Sequence, residues 1–287
     1  MKLEALTIAV NYDDLFIHVA KENHMFFDKW VVVTDFNDTK ITEICSQYPN
    51  IVLIRTDVFY KNNAVFKKYA AINEGLKYIS KDAWVLFLDA DIVLSQYTRR
   101  VLDNLPLQKD TVYGIDRVNC KTFEDWIDYK KGKNVLFNNW LLNGASFEFG
   151  SRIVHIYGEQ GDNGKFTGWK PLGFTQICHR SSFDVYPEGS MDASHGDIQF
   201  IKDYFPRDKR VLIPEILGIH LSTELTVGLN HQGRKSLRFD YSSNTSIFKK
   251  LCDGFIIWVY SLFVPNYYSS SLFCKIYNYI KQWLRRD

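Results

Sequence analysis

Two aspartates, Asp89 and Asp91, directly follow a run of five apolar residues, Trp84–Leu88. A run this short and apolar on both faces is typical of a strand buried in a parallel sheet. Carboxylates at the end of a buried strand are costly unless an opposite charge compensates them. A divalent cation that carries phosphate groups would compensate them, because hard cations prefer oxygen ligands. Two solvated aspartates in a capped turn are the alternative interpretation of Asp-x-Asp alone.

Three further groups later in the chain suit the same chemistry. His220 ends an apolar run, and imidazole is a good ligand for Mn²⁺-type metals, although a lone histidine in such a run is more often a satisfied core residue. Arg234 and Lys235 belong to a basic, glycine-containing segment that suits a diphosphate or is an ordinary surface loop. Asp197 begins a predicted helix, where helix capping alone would explain an aspartate.

The elements that must position these groups alternate along the first 90 residues. Hydrophobic patterning predicts strands at 6–10, 30–33, 51–54 and 84–88, with helices at 39–48 and 64–79 and one capped by Asp13 or Asp14. This alternation predicts a mostly parallel α/β sheet with helices on both faces. Right-handed crossovers would place Asn11, Asp35 and Asp89 at one edge, in a nucleotide-sized crevice. Neither a Gly-x-Gly-x-x-Gly nor a P-loop motif occurs, which disfavours both corresponding nucleotide sites.

The second half of the chain predicts antiparallel hairpins and long loops, where acceptor recognition would lie. Helices are predicted at 96–104, 123–129 and 197–205, strands at 111–115, 153–157, 174–178, 210–212 and 216–221, and a loop at 158–168. The tail, 247–287, combines aromatic residues with a basic end. It predicts a helical appendage, either packed on the core or lying at a membrane interface.

Composition limits the class of protein. The net charge of +2 does not indicate a nucleic-acid binder. Five widely spaced cysteines without a Cys-x-x-Cys motif argue against disulfides and zinc, and favour a reducing compartment. No signal peptide is recognised, and the longest apolar stretch, 255–264, is about ten residues against the roughly 20 that span a bilayer. We therefore expect a cytoplasmic protein, with peripheral contact at the inner membrane face as an option for 247–287.

Together these features resemble a GT-A glycosyltransferase of the family-2 type over residues 3–237. The resemblance depends on their order along the chain: Asp35 after the second strand, Lys68 and Asn73 on the third helix, Phe87–Asp91, Asp197-x-x-Phe200, His220, and His231-Gln-Gly-Arg234. It implies a catalytic domain, 1–246, with a nucleotide-sugar half, 1–115, and an acceptor half, 116–246.

The resemblance also implies a reaction and a role for each residue. The enzyme would move a sugar from a nucleoside-diphosphate donor, such as a UDP sugar, to an acceptor hydroxyl with Mn²⁺ or Mg²⁺. Its residues would divide as follows: Val10, Asn11, Tyr12 and Asp35 at the nucleoside, Lys68 and Asn73 facing the same pocket, Asp91 and His220 on the metal, Asp89 on the ribose or metal, Arg234 and Lys235 over the diphosphate, and Asp197 as base of an inverting reaction.

One departure from the family pattern leaves the base open. Family-2 members usually carry an acidic pair where this chain has Gly196 and Asp197, so His195 or Asp192 is an alternative base. A non-catalytic module that binds a glycan or partner on the same scaffold is the competing function. The acceptor would be a glycan, a glycolipid or a modified nucleic-acid base, the last suggested by basic residues at 207–210 and 234–238.

Overall fold

The computed structural model describes residues 1–135, 168–188, 192–222 and 230–239, together with the backbone of the strands between 146 and 167. The predicted tail, 247–287, lies outside the described residues. Within the described part, the α-helices are α1 Asp13–Asn23, α2 Thr39–Cys45, α3 Lys68–Leu76, α4 Thr98–Asn104, α5 Phe123–Lys130 and α6 Gly196–Tyr204. None of the helices described there is long and apolar enough to span a membrane.

The strands run from the N-terminus to residue 221. They are β1 Leu3–Ile8, β2 Lys29–Asp35, β3 Ile51–Thr56, β4 Trp84–Leu88, β5 Ile92–Leu94, β6 Val112–Cys120, β7 Ser146–Phe149, β8 Arg152–His155, β9 Gly158–Gln160, β10 Phe166–Trp169, β11 Thr175–His179 and β12 Arg210–Leu221. Eight of them form one sheet in the order β3-β2-β1-β4-β11-β6-β12-β5. The pairs β7–β8 and β9–β10 are separate antiparallel hairpins.

The central sheet confirms the predicted α/β class. Strands β1 to β4 pair in parallel, whereas β11 lies antiparallel between β4 and β6. Side chains alternate along β2, so that Trp30 and Val32 enter one hydrophobic core while Val31 and Val33 enter the other. Helices α1 and α2 cover the first face, and α3 and α6 cover the second. The sheet is therefore buried on both faces, as the apolar runs predict.

Two predictions in the second half are wrong. The predicted strands 210–212 and 216–221 form the single strand β12, whose register with β6 shifts between Ile213 and Leu217. Pro214 lies in this irregular stretch, where its missing N–H disturbs the ladder least. The predicted loop at 158–168 contains the two strands of the β9–β10 hairpin. Glycine-rich composition suggested a loop because it does not report pairing with a distant strand.

The first helix is present, but its predicted cap is not. Tyr12 occupies the N-cap position but its side chain does not cap the helix, and Asp13 and Asp14 lie in the first turn. Acidic residues there interact favourably with the helix dipole. Both also bind arginines from the 230–239 segment, as described below. Two other helices are shorter than predicted, since α2 ends at Cys45 and α3 begins only at Lys68.

Candidate functional site

The two aspartates of the Asp-x-Asp segment lie between strands from the second half of the chain. The backbone N–H of Asp89 donates to the carbonyl of Phe174, just before β11, at 3.1 Å. The carbonyl of Asp91 accepts from the N–H of Leu221, at the end of β12, at 2.8 Å. These bonds fix both carboxylates at the carboxyl edge of β4, the edge where open α/β sheets bind ligands.

Asp91 faces His220 across the β5–β12 pairing. Because His220 pairs with Ile92 in the antiparallel register, its ring reaches the residue just before β5. Nε2 of His220 lies 3.4 Å from Oδ2 of Asp91, and both side chains are buried. The other ring nitrogen, Nδ1, lies 2.9 Å from the amide oxygen of Asn119. The structure thus brings together Asp91 and His220, two of the three predicted metal ligands.

One oxygen of Asp91 is without a hydrogen-bond partner. Its Oδ1 is fully buried, and the residue as a whole is 8% exposed. Burial raises the pKa of Asp91, but the nearby positive charges of His220, Arg117 and Lys68 lower it by more. The pKa of Asp91 therefore lies below its usual range. A buried, ionised carboxylate with an unpaired oxygen is costly unless a cation completes it.

Lys68 provides the closest positive charge to Asp89. Its Nζ lies 2.6 Å from Oδ1 of Asp89, and both side chains are largely shielded from solvent. Burial lowers the pKa of Lys68, but the charges of Asp89, Asp197 and Asp91 raise it above its usual range. The ammonium group is therefore charged and lies among the three carboxylates that the sequence singled out.

The pKa of Asp89 is shifted in the same direction by burial and by the like charge of Asp91. They raise the pKa of Asp89, although Lys68 and Arg117 oppose the change. The two aspartates therefore differ, since the pKa of Asp91 is lowered. With Lys68 on Asp89, Asp91 is the carboxylate better placed to bind an added cation.

Sequence reasoning missed Arg117 and Asn119, both buried on β6. The guanidinium of Arg117 lies over the ring of Phe174, 4.4 Å from its centroid, and lowers the pKa of both Asp89 and Asp91. A partial signal was available, because three polar residues, Asp116, Arg117 and Asn119, follow the predicted strand 111–115. The earlier predicted strands are likewise followed by their candidate functional residues, such as Asp35 and Asp89.

Asp197 belongs to the first turn of α6 rather than to its cap. The cap is His195, whose backbone is left-handed, with φ of 62°. Oδ2 of Asp197 accepts from the N–H of Gly173 at 2.8 Å, and its carbonyl accepts from the side chain of Gln176 at 3.2 Å. These contacts hold Asp197 against the residues that lead into β11, beside the Asp89 end of β4.

The glycine at 196 has a steric reason. A Cβ at this position would lie 2.4 Å from the ring of Tyr69, whose hydroxyl donates to the carbonyl of Ala193 at 2.7 Å. The ring of Tyr69 also stacks on Tyr186, with centroids 5.5 Å apart. An acidic pair at 196–197 is therefore incompatible with this packing, which explains the departure from the family pattern.

Gly196→Ala is expected to lower the free energy of unfolding by about 1–3 kcal/mol, the usual cost of overpacking. Urea denaturation of Gly196→Ala measures this loss. The matched backgrounds are Tyr69→Phe, which keeps the ring, and Tyr69→Leu, which removes it. The cost should persist in the first background and shrink in the second, since contacting residues couple. An equal cost in both backgrounds would contradict the steric explanation.

The alternative bases, Asp192 and His195, lie in the turn before α6. Oδ1 of Asp192 accepts from the backbone N–H of Ser194 at 2.9 Å and also from its hydroxyl at 2.5 Å. These bonds close a local turn of the Asx type. Asp192 is therefore engaged within its own loop, whereas Asp197 lies close enough to Lys68 to raise its pKa.

Arg234 binds the start of α1. Its guanidinium forms a two-pronged ion pair with Asp14, with Nη2 2.8 Å from Oδ2, and it also lies 4.8 Å above the ring of Tyr12. Nη1 of Arg234 reaches the carbonyl of Asn11 at 3.3 Å. All of these groups belong to the chain itself. In this structure Arg234 docks the 230–239 segment onto the β1–α1 connection, and its predicted contact with a diphosphate is untested.

The rest of the 230–239 segment packs against the base candidates. The carbonyl of His231 accepts from the N–H of Ala193 at 2.8 Å, and burial together with Lys68 lowers the pKa of His231. Nζ of Lys235 lies 2.9 Å from the side-chain oxygen of Gln232, and burial lowers the pKa of Lys235. The segment therefore closes one side of the carboxylate cluster.

The predicted nucleoside residues lie at the ends of β1 and β2. Asn11 has a left-handed backbone, with φ of 58°, and its N–H donates to Asp38 at 2.8 Å. Val10 is buried, and Asp35 is partly exposed at the end of β2. Asn73 differs, because its amide bonds the backbone of Tyr186 at 2.7 and 2.8 Å. Asn73 thereby holds the segment before residue 189 against α3.

A metal ion fits this site through few protein ligands. No preassembled group of three or more histidine, cysteine, aspartate or glutamate side chains occurs in the part of the chain that is described. Cations that serve nucleotides usually bind one or two carboxylates and take their other ligands from phosphate and water. Asp91, with its unpaired buried Oδ1, and His220, with Nε2 3.4 Å from Oδ2 of Asp91, meet that requirement.

Comparisons with known proteins give one family match and a set of similar folds. Residues 17–155 match the model of glycosyl transferase family 2. Glucosyl-3-phosphoglycerate synthase from Mycobacterium tuberculosis, in complex with Mn²⁺, uridine diphosphate and phosphoglyceric acid, is 14% identical with a TM-score of 0.45, over 78% of this chain and 72% of that chain. Inositol-1-phosphate CTP transferase from T. maritima is 8% identical with a TM-score of 0.44, over 77% and 89%. No curated protein sequence matches this chain.

Proposed function

We propose that the chain is a metal-dependent glycosyltransferase that uses a nucleoside-diphosphate sugar, and the match of residues 17–155 to the glycosyl transferase family 2 model supports this proposal. The observation that carries this proposal is the buried carboxylate of Asp91, whose Oδ1 is unpaired and whose Oδ2 lies 3.4 Å from Nε2 of His220. It lies at the edge of the sheet where a nucleotide would bind, and it requires a positive partner.

Asp91 and His220 would hold the cation, Mn²⁺ or Mg²⁺. When bound, the cation supplies positive charge that stabilises the departing nucleoside diphosphate. Lys68 neutralises Asp89, which leaves Asp89 suited to a ribose hydroxyl rather than to the metal. The nucleoside would lie along Val10, Asn11, Tyr12 and Asp35, and we propose uracil as its base.

Release of nucleoside diphosphate from a panel of nucleotide sugars, with Mn²⁺ or with a chelator, tests the function. We expect turnover only with the metal. Calorimetry with the matching nucleoside diphosphates separates the competing non-catalytic module, because a glycan-binding module has no reason to bind nucleotide in a metal-dependent way. Turnover that is insensitive to chelation would refute the metal, and metal-independent glycan binding without nucleotide binding would support the module instead.

Asp197 would remove the proton from the acceptor hydroxyl as that oxygen attacks the anomeric carbon, with inversion. We expect Asp197→Asn to lower kcat by about 10²-fold, within the range for a positioned general base. Metal-dependent binding of the nucleoside diphosphate should be unchanged, because Asp197 has no part in the donor site. Steady-state kinetics and calorimetry measure the two quantities.

The control for this prediction is the pair of alternative bases. Asp192→Asn and His195→Gln should each affect kcat much less than Asp197→Asn. A larger loss in either variant would assign the base to that residue. Weakened nucleotide binding in Asp197→Asn would instead place this carboxylate in the donor site.

The described basic residues support a glycan or glycolipid acceptor over a nucleic acid. Arg234 and Arg238 bind Asp14 and Asp13, Lys209 lies 2.7 Å from Asp110, and Arg210 donates to the carbonyl of Phe205; each therefore already has a partner within the chain. Nucleic-acid affinity depends on cations that neutralise phosphates, and it falls steeply with salt. We expect weak binding to duplex DNA with little salt dependence, measured by fluorescence anisotropy.

A further inference from the structure

The buried amide of Asn119 lies directly behind the proposed metal ligand His220. The two residues pair across the parallel β6–β12 register, and Asn119 is 3% exposed. Its side-chain oxygen is 2.9 Å from Nδ1 of His220, while Nε2 on the opposite side of the ring faces Asp91. The ring is thus held between an acceptor on one nitrogen and a carboxylate on the other.

The chemistry of this contact determines where the ring carries its proton. An amide oxygen only accepts hydrogen bonds, so Nδ1 must donate the proton in this contact. In the neutral ring the lone pair is then on Nε2, and it points at the carboxylate of Asp91. Two lone-pair donors at 3.4 Å repel each other unless a cation or a proton lies between them. The bond to Asn119 therefore prepares Nε2 for a metal.

We propose that Asn119 is a positioning residue that holds the proton of His220 on Nδ1 and presents Nε2 to the cation. This inference rests on the proposed function, since it concerns the same metal. Nothing in the sequence pairs these residues, which are 101 positions apart. Partners of this kind behind a metal ligand typically change metal affinity by about 10–100-fold.

The first measurement is independent of the metal. Long-range ¹H–¹⁵N spectra of the metal-free protein at a pH of about 8.5, above the usual histidine range, report which ring nitrogen carries the proton. The signal of His220 is assigned by its absence in His220→Gln. We expect an Nδ1–H ring in the wild-type protein and in Asn119→Asp, and a shift toward Nε2–H in Asn119→Leu. Asn119→Ser, which is too short to reach the ring, should resemble Asn119→Leu.

The second measurement is Mn²⁺ affinity in the presence of uridine diphosphate, followed by electron paramagnetic resonance. We expect a loss of about 10–100-fold in Asn119→Leu and near-complete rescue in Asn119→Asp, which keeps the acceptor. The matched control is Thr7→Val. It removes a comparable buried bond, from Nε1 of Trp30 to the Thr7 hydroxyl at 2.9 Å, and should leave Mn²⁺ affinity unchanged.

The two measurements separate the possible failures. An unchanged tautomer in both Asn119→Leu and Asn119→Ser overturns the proposal. A changed tautomer with unchanged Mn²⁺ affinity overturns it as well, because the contact would then orient the ring without serving the cation. Absence of Mn²⁺ binding in the wild-type protein refutes the proposed function instead, while the tautomer spectra still decide whether Asn119 positions the ring.

Discussion

Asp91→Asn is expected to reduce sugar transfer by about 10³-fold while the protein remains folded. The substitution keeps the size of the side chain but removes its charge, and with it the main ligand of the proposed cation. The buried Oδ1 has no hydrogen-bond partner to lose. The contact between Oδ2 and Nε2 of His220 is long, at 3.4 Å, so little stability depends on it. Release of nucleoside diphosphate and the thermal midpoint of unfolding measure the two effects.

The matched control is Glu4→Gln, which makes the same carboxylate-to-amide change at another buried position. Glu4 lies near the start of β1, at the opposite edge of the sheet, where it bonds Ser80 at 2.6 Å and Lys29 at 3.1 Å. We expect this variant to lose stability and to keep its metal-dependent turnover. If Asp91→Asn retained turnover within a factor of about ten of the wild type, the proposed role of Asp91 as a metal ligand would be wrong.

The prediction for Asp91 follows from local patterns that the sequence displays directly. Trp84–Leu88 is apolar on both faces, and the predicted and observed bounds of β4 coincide. His220 was predicted as a ligand because it ends an apolar run, and pairing of β12 with β5 places it beside Asp91. Both inferences depend only on a strand and the polar residue at its end. Such a signal survives small errors in the boundaries of the elements.

Contacts between distant segments were not predictable in the same way. Arg117 and Asn119 reach the site because β6 continues beyond residue 115 and pairs with β12. Likewise, Gly196 is explained only by the ring of Tyr69 on α3. Each of these relations joins residues about a hundred or more positions apart. A single sequence carries no local periodicity that reports such register or packing.

Arg234 shows how the same limit changes an assigned role. A basic, glycine-containing segment suits phosphate, and Asp14 suits a helix cap, so each residue has a separate local explanation in the sequence. The structure joins them in one ion pair, with the side chain of Asp14 fully buried and that of Arg234 only 5% exposed. A pattern of neighbouring residues does not predict that two charges distant in the sequence form a buried ion pair.

Asp14→Ala is therefore expected to lower the free energy of unfolding by about 3–5 kcal/mol, because it leaves the buried guanidinium of Arg234 uncompensated. It also removes the acceptor of the Phe239 N–H, at 2.5 Å. The adjacent residue gives the control. Asp13 pairs with the more exposed Arg238 at 2.9 Å, so Asp13→Ala should cost no more than about 1 kcal/mol. Chemical denaturation of both variants, with hydrogen exchange at Phe239, measures the difference.

The double variant Asp14→Leu/Arg234→Met decides whether Arg234 docks the 230–239 segment or binds the donor. Replacing a buried ion pair by apolar residues of similar volume is often neutral or stabilising, so most of the stability lost in Asp14→Ala should return. If docking is the role of Arg234, metal-dependent nucleotide binding in the double variant should match that of the wild-type protein, because the segment again closes the carboxylate cluster. If the guanidinium binds diphosphate, stability recovers while nucleotide affinity stays low. A double variant no more stable than Asp14→Ala would contradict the burial argument, since no unpaired charge would then remain to explain the loss.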